Sequence, residues 1–403
     1  MFAVKKKNDE QRLVLDCRYS SCHFSDPPKV QLASGQSFAS IEVEPGQQVW
    51  LGNVDIKVAF YAMQLPAELL KYFGLPYDVR AVDVGVSQLW SDSVSDYTPI
   101  HPDTRISPVF AAIPMGWTHS LAVCQAVLEG LSRKVAGITA DNALVDRKIA
   151  PAIDPIIHTE YADNFESYAY HEPLVAKAAK GVEILLNNAG LLTHDVFVTK
   201  GGASLGWEFS AVEPILGVSH RGMWRLRLGL LEFARRGYGS GHQLEILVGH
   251  FTSRALLRRE LLSIFGAAYT FIAKHRHQNL KLWPSVIREL TWAAHLIHMS
   301  HRSLAAEWSP LVHCFDASWW GFGIVKKHVR KEVVRDTARR CERWRFTREH
   351  EDRWRSRHTD GDPAIRTQGE SGRSLKRSPR QRIKDEEKGN RDSGPDKARL
   401  RSP

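Results

Sequence analysis

Apolar and polar residues alternate in short bursts over the first 50 positions, broken by "SDPPK", "ASGQS" and "EPGQQ", a pattern that predicts short strands joined by turns. The next block, "QVWLGNVDIKVAFY", predicts a largely buried strand running straight into a helix, which "LPAELLKYFGLP" extends or follows. Helical spacing of apolar residues returns in "SLAVCQAVLEGLSRKVAG". In "IIHTEYADNFES" a strand, a turn and a returning strand place Asp163 at the tip of a hairpin. Beyond residue 180, "GVEILLNNAGLL" predicts a helix and "GASLGWEFS" a strand at a glycine turn. Residues 211–305 read as mostly helical, with arginines set among leucines and tryptophans, and "LVHCFDASWWGFGIVKK" returns to strand. From residue 347 the pattern stops: large apolar residues are few and 16 Lys/Arg stand against 11 Asp/Glu. Such a segment cannot bury enough apolar area to offset its ordering entropy, so 347–403 is expected to be a disordered basic tail.

A chain of 403 residues with 43% hydrophobic content can bury a substantial core in two or three domains. Its net charge of +10 favours a polyanionic partner, nucleic acid or an anionic membrane. No run of about 18 apolar residues occurs, and the N-terminus is charged from its fifth residue, which speaks against a spanning helix and a secretory signal. The expectation is a soluble intracellular protein with no membrane partner. "KRSPRQRIK" fits a nuclear-import signal or a plain electrostatic tail. Cys17, Cys22, Cys124, Cys314 and Cys341 are too scattered for a disulfide framework. Cys17, Cys22 and His23 lie close together, but a zinc site needs four ligands and no second pair answers them. His295, His298 and His301 recur every three residues on a predicted helix, where solvation or phosphate contact is their expected use. Dinucleotide, phosphate-loop and nucleophile-elbow signatures are missing, which sets aside an ordinary metabolic enzyme.

Two carboxylates carry the chemistry. Asp55 closes an apolar strand just before a helix, and Asp163 tops the hairpin. Each has an ordinary reading, Asp55 as a helix cap and Asp163 as turn chemistry. Acids at the ends of adjacent strands are also what a pair of Mg²⁺ ions needs, because hard cations take oxygen ligands and two-metal phosphoryl transfer holds its ions about 3.5–4 Å apart.

In this order and spacing the blocks resemble the palm of a reverse transcriptase. "DIKVAFY" resembles the first catalytic motif, "PMGWTHSLAVCQ" the second, down to Gln125 eleven residues after Pro114, and "YADN" the third. "AVKKKNDEQRLVLDCR" resembles the fingers strand pair and "LGWEF" the primer grip, so the likeness runs over roughly residues 3–210. It implies an α+β right-hand fold: partial fingers (1–50), a palm (51–210) whose antiparallel sheet is backed by helices, and a helical thumb and connection (211–305). It also implies an RNA-directed DNA polymerase, a nucleotidyltransferase of a retrotransposon, with an RNA template, a DNA primer, a dNTP substrate and two Mg²⁺ or Mn²⁺ ions.

The implied roles fall residue by residue. Asp55 and Asp163 would bridge the metals, with Asn164 beside them, and Lys200 would be a general acid. Phe60 would exclude a ribose 2′-hydroxyl. Lys6 and Arg12 would grip the β and γ phosphates, while Met115, Gly116, Gln125 and Tyr161 would complete the nucleotide site. Arg235, Arg236, Arg254, Arg258 and Arg259 could track the template–primer backbone.

"VHCFDASWWGFGIV" resembles the first strands of a ribonuclease H domain, with Asp316 as its first ligand. The later elements that should bring further acids are missing, so 306–346 reads as a truncated RNase H-like segment without nuclease activity. The whole then resembles a fragment of a retrotransposon polyprotein. Three departures stand out: Asn164 replaces a second aspartate, His158 and Glu160 occupy strand positions where the family prefers apolar residues, and little fingers structure precedes the hairpin. They motivate an alternative, a non-catalytic nucleic-acid-binding remnant.

Overall fold

The computed structural model describes residues 2–5, 11–75, 77–91, 93–318 and 320–340. The expected tail from 347, its "KRSPRQRIK" run and Lys6 lie outside these residues.

Its centre is an antiparallel sheet of four strands in the order Thr193–Lys200, Trp50–Ile56, Asn164–Ala169, Ile157–Tyr161. Side chains alternate along a strand, so Trp50, Val54 and Ile56 share one face and Leu51, Asn53 and Asp55 the other. The first face is apolar because helices Ser120–Ser132 and Glu172–Asn188 cover it: Val54, Ile56, Phe165 and Ala169 pack with Cys124, Leu128, Val175, Val182 and Leu186. Gly52 permits that contact, since a Cβ there would stand 2.9 Å from the Val175 carbonyl oxygen. On the second face, Leu51, Ile157 and Tyr168 meet Trp207 and Phe209. Between the two cores, at one end of the central strands, that face carries polar residues instead.

Trp207 and Phe209 belong to a hairpin, Gly202–Ser204 with Trp207–Phe209, turned through Leu205 and Gly206, both at positive φ (45° and 89°), as the right-handed strand twist favours. Helices His220–Arg236, Gly241–Ala255, Ala267–Lys274 and Pro284–Leu296 form a separate core around Leu230, Phe233, Leu244, Phe251, Phe271 and Leu290. Their ends are written locally. Ser219 accepts the Gly222 N–H, Ser240 and Gln243 form a capping box, and Gly237 at φ 66° ends the first helix. The architecture is therefore the mixed, antiparallel-sheet fold backed by helices that the sequence implies. Among the described residues no helix is long and apolar enough to cross a membrane.

Several local expectations need correction. Of the short strands expected over residues 1–50, the hairpin Phe2–Lys5 with Gln11–Val14 forms, but "ASGQS" opens a helix, Gly35–Ala39. There Ser34 and Ser37 satisfy each other's backbone N–H in a capping box, a use of serine that competes with turn formation. "LPAELLKYFGLP" holds only a single helical turn, Ala67–Leu70. His295, His298 and His301 do not share a helix: it ends at Leu296, a 3-10 turn Ile297–Met299 follows, and His301 starts a strand.

Candidate active site

Asp55 lies directly opposite Asn164 in the ladder, and the Ile56 N–H donates to the Asp163 carbonyl oxygen at 2.8 Å. The two acids thus occupy neighbouring positions at the same end of adjacent strands. Tyr161 pairs with Asn164, leaving Ala162 and Asp163 as a two-residue loop with Ala162 at φ 58°, a left-handed conformation costly for alanine. What holds it is Gln125, buried on the helix beneath. Its Oε1 accepts the Ala162 N–H at 2.9 Å, and its Nε2 donates to the Glu160 carbonyl at 3.0 Å and to Glu129 Oε1 at 2.9 Å. With both ends of its amide committed, Gln125 grips the hairpin backbone rather than presenting free groups to a ligand.

Electrostatics report the same convergence. Burial, followed by the Asp163 carboxylate, pushes the Asp55 carboxyl up to about 6, with Asp195 and Glu166 adding and His194 opposing. His194, across the ladder from Asp55, places Nδ1 3.6 Å from Asp55 Oδ1. The Cys124 thiol, buried on the helix that carries Gln125, is pushed up to about 12 by burial and then by the Asp163 charge.

Next to Asp163, Asn164 donates from Nδ2 to Glu166 Oε1 at 3.1 Å, and its Oδ1 is buried without a hydrogen-bond partner. Glu166 is itself buried and accepts hydroxyl hydrogen bonds from Tyr168 and Ser204. Burial wins over these donors and holds its carboxyl above the ordinary range. The unexpected His158 and Glu160 point the other way, toward the helices. Glu160 Oε1 lies 3.0 Å from Ser132 Oγ, 3.3 Å from His158 Nδ1 and 3.5 Å from Arg133 Nε. Burial alone would raise Glu160, yet these partners keep it below the usual range, so the polar pair is compensated between the sheet and its helices.

Phe60 is half-buried in the helix Ala59–Ala62, which follows Asp55 through Val58 at φ 50°. The neighbouring Tyr61 donates its hydroxyl to the Leu13 carbonyl, tying this helix to the strand Gln11–Val14. Arg12 lies in that strand opposite Val4, and its side chain is outside the description, as is all of Lys6. Met115 is half-buried, and so is Tyr161 at the end of its strand. Gly116, at φ 120°, is needed for a contact within the chain: a Cβ would stand 2.5 Å from the Leu15 carbonyl oxygen. Gly116→Ala should therefore cost about 3 kcal/mol of stability. Urea unfolding at wild-type midpoint would contradict the assignment.

Lys200 is set apart from the acids. It pairs with Trp50 at the far end of the central strand, five residues or about 17 Å from Asp55, and on the opposite face. That position does not suit a general acid at Asp55. Asp316 sits in an exposed hairpin, Leu311–Ser318 with Gly321–His328, opposite Gly323. Of the arginines expected to track a nucleic-acid backbone, Arg235 is held by Glu232 at 2.7 Å, Arg254 bonds the His250 carbonyl, Arg259 bonds Gln36 and Arg236 lies over the Phe233 ring.

Among the described residues no group of three or more His, Cys, Asp or Glu side chains converges to hold a metal ion. Two carboxylates are nonetheless a fitting partial set for Mg²⁺, which binds one or two protein carboxylates and completes its shell with water and substrate phosphates. The burial and the neighbouring Asp163 charge that raise Asp55, and the unpartnered Asn164 oxygen, are what a cation here would relieve.

This backbone is similar to the foamy viral protease-reverse transcriptase dRH in complex with double-stranded DNA, with a TM-score of 0.50 and 15% identity over 81% of this chain and 50% of that one. A second similar structure is the foamy viral protease-reverse transcriptase in complex with an RNA/DNA hybrid, at TM-score 0.45 and 14% identity over 78% of this chain and 36% of that one. The chain therefore spans half or less of the length of these proteins. At such identity the likeness defines a fold, and the fold is that of a reverse transcriptase polymerase. No protein-family model and no curated protein matches the sequence.

Proposed function

We propose that the chain is the polymerase portion of a retroelement reverse transcriptase, adding deoxynucleotides to a DNA primer on an RNA template. One observation carries this reading: Asp55 and Asp163, 108 positions apart in the sequence, meet at one end of neighbouring strands in a half-buried, mutually repelling pair. Asp55 and Asp163 would hold Mg²⁺ or Mn²⁺, with the Asn164 oxygen beside them. Bound there, the ions would lower the pKa of the primer 3′-hydroxyl and neutralise the triphosphate and leaving pyrophosphate.

The rest of the site positions. Gln125 and the Ile56 N–H fix the loop that presents Asp163, and His194 offsets part of the charge on Asp55. Phe60, five residues after Asp55, would stand against the nucleotide sugar and select deoxyribose. Met115 and Tyr161 would border the same nucleotide, with Lys6 and Arg12 at its phosphates. Gly116 and Gln125 serve by shaping the protein around it, and Lys200 has no part in this scheme.

Purified protein with Mg²⁺ or Mn²⁺ should extend a DNA primer annealed to RNA. A second reading, a nucleic-acid-binding remnant without turnover, is favoured by Asn164, because an amide brings no charge where a second acid would add one. Salt-dependent binding is expected under both readings. Binding without any extension, unrestored by Asn164→Asp, would select the remnant.

A further inference from the structure

Asn164 and Glu166 are two residues apart on one strand, and therefore on one face, with Asp55 directly across from the first and Asn53 across from the second. A glutamate buried in a sheet needs a reason. Its carboxylate receives two hydroxyls, from Tyr168 and from Ser204 on the neighbouring hairpin, and those hydroxyls lie 2.8 Å from each other. The remaining oxygen takes one amide hydrogen of Asn164. An amide so tied has its nitrogen turned toward Glu166, and its oxygen is the atom left buried and unpartnered beside the acid pair. A buried acceptor left unsatisfied keeps its desolvation cost without the bond that would offset it, so an arrangement that creates one while satisfying its neighbour calls for a ligand.

We infer that Glu166 is a positioning residue that holds the Asn164 amide with its oxygen presented, as a third oxygen donor, to a divalent cation on Asp55 and Asp163. This rests on the proposed role of those two acids. The chain would then meet the loss of charge at position 164 by fixing a neutral oxygen rather than by supplying another acid directly. Glu166 acts through Asn164: its own oxygens are occupied by Tyr168, Ser204, the Leu205 backbone N–H and the amide. Leucine or alanine at 166 would leave the amide free to rotate, whereas glutamine keeps a carbonyl that can accept from Asn164, the two hydroxyls turning to accept from its amide N–H groups.

Mn²⁺ binding by the full chain, followed through the free-ion electron paramagnetic resonance signal without template or nucleotide, tests the inference apart from activity. Glu166→Leu should weaken Mn²⁺ binding about ten- to a hundredfold. Glu166→Gln should stay close to wild type, and Asn164→Asp placed in the Glu166→Leu chain should restore binding. Asn164→Ala, a change at the loop edge that leaves the Tyr168 and Ser204 hydroxyls on Glu166, should weaken binding as much as Glu166→Leu does, which keeps the test open if the leucine variant does not fold. Unchanged affinity in Asn164→Ala, or in a folded Glu166→Leu, would overturn the inference. A loss in Glu166→Gln as large as in Glu166→Leu would also overturn it, by making charge rather than orientation the contribution. A wild-type chain that binds no Mn²⁺, or binding that survives Asp55→Ala, would instead bring down the reading of the acid pair on which this one stands.

Discussion

Primer extension should fall by a factor on the order of 10³ or more when either Asp55 or Asp163 becomes alanine. Groups that act as one unit are not additive, so the double variant should be no slower than the worse single one. The loss should not come from unfolding. Asp55 is half-buried beside another carboxylate, and its removal relieves repulsion within the apo chain. Melting at or above the wild-type temperature, with absent extension, is thus the expected pair of results. Extension that persists in both variants would remove the two acids from the chemistry, whatever the fold.

The stability of the metal-free chain should fall as pH rises from about 4 to 6, in the part that Asp55 controls. The Asp55 carboxyl is raised from 3.8 to about 6 in the fold. Between those values the native state holds a proton that the unfolded chain has released, and linkage makes stability decline with pH wherever the native state binds more protons. The penalty is absent below the unfolded pKa and complete above the folded one. Asp55→Asn should therefore stabilise the apo protein by about 2 kcal/mol at pH 7.5, after allowance for water reaching the half-buried oxygens, and by next to nothing at about pH 3, below the unfolded pKa. Millimolar Mn²⁺ should stabilise wild type at pH 7.5 and leave Asp55→Asn unmoved. Urea midpoints at the two pH values, with and without Mn²⁺, decide it. An equal effect of the substitution at both pH values would mean that Asp55 is not electrostatically frustrated.

How much of this was legible in the sequence depends on where each partner lies. Asp55 and Asp163 were readable because strand ends and a hairpin turn are local patterns, and the palm blocks come in a telling order. The grip of Gln125 was not, since its partners are backbone atoms at Glu160 and Ala162, 35 and 37 residues away. Gly116 announces a special backbone, but the atom it must clear belongs to Leu15, which only the folded chain brings near. Lys200 shows what register decides: one strand holds both His194 beside Asp55 and Lys200 on the opposite face, and a bulge between His194 and Phe197 shifts their pairing. Glu166 gives no signal in the sequence, because a lone glutamate in a strand is ordinarily an exposed alternate position. Its partners Tyr168 and Ser204 are chemically ordinary until the sheet and hairpin close on them. Serines 34 and 37 were misread for a related reason, as residues that serve turns and helix caps equally well.

The most direct test of the central claim is a crystal structure of the chain soaked in Mn²⁺, with the ion located by its anomalous scattering. A peak within about 2.0–2.3 Å of carboxylate oxygens from both Asp55 and Asp163 is expected. A well-occupied Mn²⁺ elsewhere, with these two carboxylates bare or turned apart, would contradict it.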